Sequence, residues 1–235
     1  MAAGEVGRRR LTAARFGVRA VLATLALVAA AVPFGLLVVL VEDRWSPLWR
    51  VDAGARDDLH TYAVRHAGFV SLMQGLSDAG STLAWVVLIA ALVAWLLWRR
   101  RFRAATFAVV TVAGGSLVNL AVKTAVHRAR PVLVDPVSRA TGLSFPSGHA
   151  QAAMVGYAVL LLALHPHLRG AWRHASVAGA VLMVLAIGAS RVALGVHYVS
   201  DVAGGYLLGL AWVAAMTAAF RTWSAERGGA RGDGT

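Results

Sequence analysis

The sequence predicts an all-α membrane protein, a bundle of six transmembrane helices with an amphipathic helix between the first two spans. Three observations predict it. The 235 residues are 58% hydrophobic and 14% charged, with a mean hydropathy of +0.65, whereas soluble domains carry about 25% charged residues. Apolar runs of helix length recur six times. The basic residues lie mostly in the short segments between those runs, which is how membrane topology is written. The net charge of +12 is therefore flanking charge and does not point to nucleic acid as a partner. The chain has no cysteine, so it has neither disulfides nor thiolate metal sites.

The six runs are residues 20–41, 81–98, 104–122, 150–164, 175–189 and 202–220. Crossing about 30 Å of hydrocarbon at 1.5 Å per residue takes about 20 residues. The fourth and fifth runs are short, so they are expected to extend into the polar segments beside them. The first run follows Arg8, Arg9 and Arg10, as a signal peptide would. It is longer than a signal core and continues past Pro33, so it is expected to be an uncleaved first helix. Between the first two runs, residues 56–76 place Leu59, Tyr62, Ala63, His66, Phe69, Val70 and Met73 at three- and four-residue steps. That period fits an amphipathic helix, either lying on the outer interface or packed on the bundle. The domain reading is a basic segment over 1–19, a six-helix membrane domain over 20–220, and a Gly- and Arg-rich tail over 221–235 that is expected to be disordered.

Charge sets the expected orientation. With the N-terminus inside, the inner segments carry fourteen basic residues and the outer ones nine. Five acids, Glu42, Asp43, Asp52, Asp57 and Asp58, offset the first outer group. The positive-inside rule then places both termini in the cytoplasm of a multi-pass cell-membrane protein. Three polar clusters fall together on the outer side.

The first cluster begins at Lys123, the one lysine among 22 arginines, and runs to Arg130-Pro131. Lys123 and Arg130 can both face one anion, although cations at helix ends also anchor in lipid headgroups. The second is Pro146-Ser147-Gly148-His149. Ser is a good N-cap, Gly allows close backbone approach, and the first helical N–H groups have no intrahelical acceptor. A helix N-terminus with a free hydroxyl is an anion cradle, and His149 lies beside it. The third is Ser190-Arg191 followed by His197 and Asp201. His197 and Asp201 are spaced i, i+4, so on a helix they share a face and Asp201 can accept the Nδ1–H of His197. That leaves Nε2 as a nucleophile. Cations, a cradle and two histidines on one membrane face match phosphoryl transfer through a covalent phosphohistidine.

The three segments resemble the signature motifs of the type-2 phosphatidate phosphatase superfamily, K-x6-RP, PSGH and SR-x5-H-x3-D. That superfamily also includes glucose-6-phosphatase and the soluble vanadium haloperoxidases. Every signature position is matched in order between residues 123 and 201. The resemblance implies that Lys123, Arg130 and Arg191 bind phosphate oxygens, completed by Ser147 and the Gly148 N–H. It implies that His197 attacks phosphorus with Asp201 orienting it, and that His149 protonates the leaving oxygen and later activates water. His127 matches no signature position.

The substrate class implied is a lipid phosphate in the membrane: undecaprenyl pyrophosphate, phosphatidic acid or phosphatidylglycerol phosphate. The family as a whole favours the first, and no motif separates them. A lipid phosphotransferase would use the same intermediate with a hydroxyl acceptor. A transporter would place its polar residues nearer mid-membrane, which these are not. No cofactor and no metal are expected. From residue 79 to 225 the only acids are Asp135 and Asp201, whereas a magnesium site usually needs one or two carboxylates beside the phosphate, and Asp201 is committed to His197.

Overall fold

The computed structural model describes residues 21 and 24–229. Over these residues the fold is helical throughout: α1 (Thr24–Glu42), α2 (Ser46–Ala63), α3 (Ala67–Ala79), α4 (Thr82–Trp98), α5 (Phe102–Val126), α6 (Gly148–Leu164), α7 (Ala171–Ala193) and α8 (Val199–Gly229). A single 3-10 turn, His165–His167, extends α6.

Five helices are long and apolar enough to cross a membrane: α1, α5, α6 with its turn, α7 and α8 up to Phe220. The expected second span has a different form. Helix α4 has 17 residues, about 25 Å of rise, which is short of the roughly 30 Å core. It passes the same test only together with α3, from which it is bent by 42°. The elbow lies at Gly80-Ser81. Ser81 caps α4 by accepting the Ala84 N–H at 3.3 Å. Gly80 packs so closely on Ile187 of α7 that a Cβ there would overlap it.

The side-chain pattern is that of a protein whose outer solvent is lipid. Leu83, Leu117 and Leu182 are exposed, while Trp85, Leu96, Ala108, Ala153, Val159 and Ile187 form the interior. Helices α6 and α8 share the most extensive contact, and glycines allow close approach there. A Cβ on Gly205 would stand 2.6 Å from Ser147 O, and one on Gly209 would stand 2.9 Å from Met154 Cβ. Small residues let membrane helices approach in this way. The contact presses α8 onto the first turn of α6, where the second polar cluster lies.

Residues 56–76 form two helices rather than one. Helix α2 begins earlier, at Ser46, with Pro47 in its first turn, where the missing N–H is not needed. It ends at Ala63, and α3 begins at Ala67. The break has a local cause. In a continuing helix the His66 N–H would bond to Tyr62 O. Here the His66 ring nitrogen Nδ1 lies 2.8 Å from that carbonyl, the ring stacks on Tyr62, and the His66 N–H turns to Ala63 O. Helix α3 packs on α7, and α2 packs on α7 and α8. Both segments therefore belong to the bundle.

Helices α6 and α7 do extend into the polar clusters, from Gly148 and through Ala193. Helix α5 stops before Pro131, at His127, whose left-handed φ of 50° ends the regular turn. Helix α8 continues through Gly229, so residues 221–229 are helical where disorder was expected. Ala225, Glu226 and Arg227 are good helix formers, and Gly228-Gly229 are poor ones. The expectations for residues 1–19 and 230–235 lie outside the described residues.

Candidate active site

All eight residues singled out in the sequence meet at one end of the bundle. Lys123 ends α5, Ser147 and Gly148 begin α6, Arg191 ends α7, and Asp201 begins α8. Arg130 and His197 lie on the connecting loops.

His197 is 2% exposed and held from both sides. Its Nδ1 is 3.3 Å from Asp201 Oδ2, and its Nε2 is 3.1 Å from an Arg130 guanidinium nitrogen. A guanidinium has only donors. Nε2 must therefore accept, and the ring proton resides on Nδ1, directed at Asp201. This is the tautomer the i, i+4 spacing anticipated, with one difference: Nε2 is covered by an Arg130 N–H.

Burial, the first cause, pulls the His197 ring down to about 4 from its usual 6.5, and the positive charges of Arg130 and Arg191 act in the same direction. The hydrogen bond and charge of Asp201 oppose them. A ring so lowered carries no proton on Nε2 at pH 7, the state in which an imidazole can act as a nucleophile. Burial likewise lowers the Arg130 guanidinium, with Asp201 opposing it.

The cations are held by main-chain carbonyls. Lys123 Nζ donates to Leu143 O at 2.9 Å. Arg130 donates to Thr141 O and Gly142 O, each at 3.1 Å, and to Val196 O at 2.8 Å. The loop that crosses from α5 to α6 thus uses its backbone to aim both side chains. Arg191 is held differently, donating to the hydroxyl of Ser77 on α3. Its Nε is buried without a hydrogen-bond partner among the described residues.

Ser147 occupies the N-cap of α6, but its hydroxyl makes no capping bond and is likewise buried without a partner. Its N–H donates instead to Asp201 O at 2.9 Å. The N–H groups of the first α6 turn have no intrahelical acceptor. Orphaned donors and a free hydroxyl beside three cations suit a tetrahedral oxyanion. His149 is half-buried within electrostatic range of Arg191, His197, Arg130 and Lys123.

Four residues of the site carried no functional signal in the sequence. Arg128, Asp52 and Ser200 form a buried set behind Asp201, and Ser77 holds Arg191. Arg128 and Ser200 fill unspecified positions within the first and third motifs. Asp52 and Ser77 lie on α2 and α3, and only tertiary packing brings them in.

A groove of about 520 Å³ runs between α4, α5 and α6 and reaches the polar centre at Gly148 and His149. Its walls include Trp85, Ile89, Val112 and Val155, with Asn119 near the His149 end. Asn119 is 7% exposed and its Nδ2 has no partner among the described residues.

The family model of the PAP2 superfamily matches residues 104–225. The phosphatidylglycerophosphatase B of Bacillus subtilis (strain 168) is 31% identical over 149 residues, covering 63% of this chain and 73% of that protein. The fold is also similar to a solved structure, the first transmembrane PAP2 type phosphatidylglycerolphosphate phosphatase from Bacillus subtilis. There the TM-score is 0.72 at 23% identity, covering 83% of this chain and 96% of that one.

Proposed function

Given that the chain belongs to the PAP2 superfamily and is a multi-pass membrane protein of phosphatase type, we propose that it hydrolyses phosphatidylglycerol phosphate through a phosphohistidine on His197. The observation that carries this reading is the clamped ring, with Nδ1–H directed at Asp201 and the Nε2 lone pair facing an Arg130 donor.

In the first step the Nε2 lone pair forms a bond to phosphorus. The P–O bond to the lipid breaks, its electron pair leaves with the oxygen, and His149 gives that oxygen a proton. The Arg130 N–H that covers Nε2 at rest shifts to a phosphate oxygen once the lone pair is used. Lys123, Arg191, the Ser147 hydroxyl and the Gly148 N–H take the remaining oxygen positions. Charge spreads over the three equatorial oxygens in such a transition state, so fixed donors supply much of the catalysis. In the second step His149 takes a proton from water, and the N–P bond is hydrolysed.

The groove beside His149 suits a leaving group that is itself a lipid. Its apolar walls accept acyl chains, and the unpaired Asn119 amide offers one donor to the glycerol portion. The Bacillus relative moves phosphatidylglycerol phosphate ahead of undecaprenyl pyrophosphate as first candidate. The charge asymmetry supports cytoplasmic termini and a site on the outer face. Metal-independent turnover is supported by the commitments of the carboxylates: both oxygens of Asp201 and both of Asp52 already accept hydrogen bonds.

The test is phosphate release by the detergent-purified protein from phosphatidylglycerol phosphate, phosphatidic acid and undecaprenyl pyrophosphate, with EDTA present and His197→Ala alongside. The expected result is release from phosphatidylglycerol phosphate by the wild type and none by the variant. Near-normal release by His197→Ala overturns the mechanism. Faster release from another lipid of the panel overturns the substrate assignment, and loss of activity in EDTA overturns metal independence.

A further inference from the structure

Arg128 occupies an unspecified position of the first motif and is 6% exposed. It donates to Asp201 Oδ1 at 2.6 Å, to the Ser200 hydroxyl at 2.6 Å and to Asp52 Oδ2 at 2.8 Å. The rings of Trp49 and Tyr198 lie 4.9 and 4.3 Å from its guanidinium carbon. Asp52, on α2, also accepts the Ser200 N–H at 2.9 Å and the Ser200 hydroxyl at 2.5 Å. Both aspartates are fully buried.

The charge balance of this set is uneven. Within this hydrogen-bonded set two carboxylates share one guanidinium, one negative charge in excess, with Lys123 and Arg130 also acting on Asp201 through space, and an unbalanced buried charge is unfavourable. The group in line to balance it is the His197 ring. When Nε2 bonds to phosphorus and the P–O electron pair leaves with the protonated lipid oxygen, the ring keeps its Nδ1 proton and becomes cationic. The set then sums to zero. The other charged or titratable side chains facing His197 are Arg130 from the loop, Arg191 from α7 and His149 from α6. None of them favours a cationic ring.

We propose that Arg128 and Asp52 are positioning residues. They hold Asp201 ionised and aimed at Nδ1, and they keep the set one negative charge in excess so that the cationic phosphohistidine is the state that neutralises it. The inference rests on the phosphohistidine reading. It also gives α2 a part in the chemistry, because Asp52 is its contribution to the set.

The test compares Asp52→Asn and Arg128→Gln with the wild type, using phosphatidylglycerol phosphate in detergent micelles, and measures kcat, KM and the pH profile of kcat/KM. Substrate ionisation is common to all three proteins and cancels. Asp52→Asn removes the excess negative charge. Its kcat is expected to fall about tenfold with KM nearly unchanged, and its acidic limb to move down by about one pH unit. Arg128→Gln leaves two carboxylates uncompensated, so its kcat is expected to fall while the acidic limb moves up. Limbs that shift in opposite directions are not produced by loosening of the fold. Folded variants whose limbs stay in place or move the same way, or whose kcat is unchanged, overturn the inference. Should Arg128→Gln not fold, Asp52→Asn decides alone. His197→Ala separates the two levels of the argument. If it is active, the phosphohistidine reading fails. If it is inactive while Asp52→Asn behaves as wild type, only the role given to Arg128 and Asp52 fails.

Discussion

On the proposed mechanism, acidification to pH 5 should leave His197 almost entirely in its neutral, nucleophilic form. His197 is 2% exposed, and burial with the nearby Arg130 and Arg191 pulls it down to about 4. Relative to the usual 6.5, that is on the order of 3 kcal/mol against charging the ring. At pH 5 roughly 90% of the rings are neutral, against roughly 3% for an ordinary histidine. The assay is kcat/KM for phosphatidylglycerol phosphate from about pH 3.5 to 8, divided by the ionisation curve of the substrate phosphate. The enzyme's acidic limb is expected near pH 4. A limb near 6.5 would refute the reasoning, because it would mean that the ring is hydrated and titrates freely. The same shift predicts a stability change of definite sign. The unfolded chain takes up the proton below about 6.5, and the folded chain only near 4. The contribution of His197 is therefore complete above 6.5 and is lost as pH falls through 4. Thermal unfolding in detergent should show a lower Tm at pH 4 than at pH 7, and His197→Asn should shrink the difference.

Three further outcomes follow from other parts of the molecule. Gly205→Leu should push α8 off the first turn of α6, because a Cβ there meets Ser147 O. A loss of about 1–3 kcal/mol is expected in unfolding, with a larger fall in kcat than in substrate binding. His149→Ala should slow release from lipid substrates by about 10²–10⁴-fold and much less from p-nitrophenyl phosphate, whose leaving group needs no proton; equal losses on both would remove the general-acid role. Val134, 94% exposed on the loop between α5 and α6, becomes the sole thiol in Val134→Cys because the chain has no cysteine. A membrane-impermeant maleimide should label it in intact cells, and labelling only after lysis would reverse the orientation.

The legible part of the site was the part written in short runs. Lys123 and Arg130 share one run, Ser147 to His149 another, and Arg191 to Asp201 a third, each at the end of an apolar span. Those spans fix which ends of the helices meet, so the eight residues come together without further information. Asp52 could not be read in this way. It lies 148 residues from Ser200, ahead of the amphipathic segment 56–76, where it counted only as one of the outer acids. Ser77 is 114 residues from Arg191, and a serine on a helix has no distinguishing signal. The fold was legible to a similar depth. Hydropathy marks all six spans, and only length falls short, at the second, where α4 reaches spanning length together with α3 at a 42° bend. The interruption at residues 64–66 depends on a ring nitrogen of His66 taking a carbonyl that the helix would use, and apolar periodicity does not record such a bond.

The main-chain bond from Ser147 N–H to Asp201 O acts as a ruler. It fixes the separation between the first turn of α6 and the turn that carries Asp201, and as a main-chain bond it does not depend on the side chain of either residue. On the proposed mechanism, changes in the groove walls alter which lipids fit, while the geometry joining the start of α6 to Asp201 stays the same. Lipid fit and phosphate chemistry would then depend on separate parts of the chain.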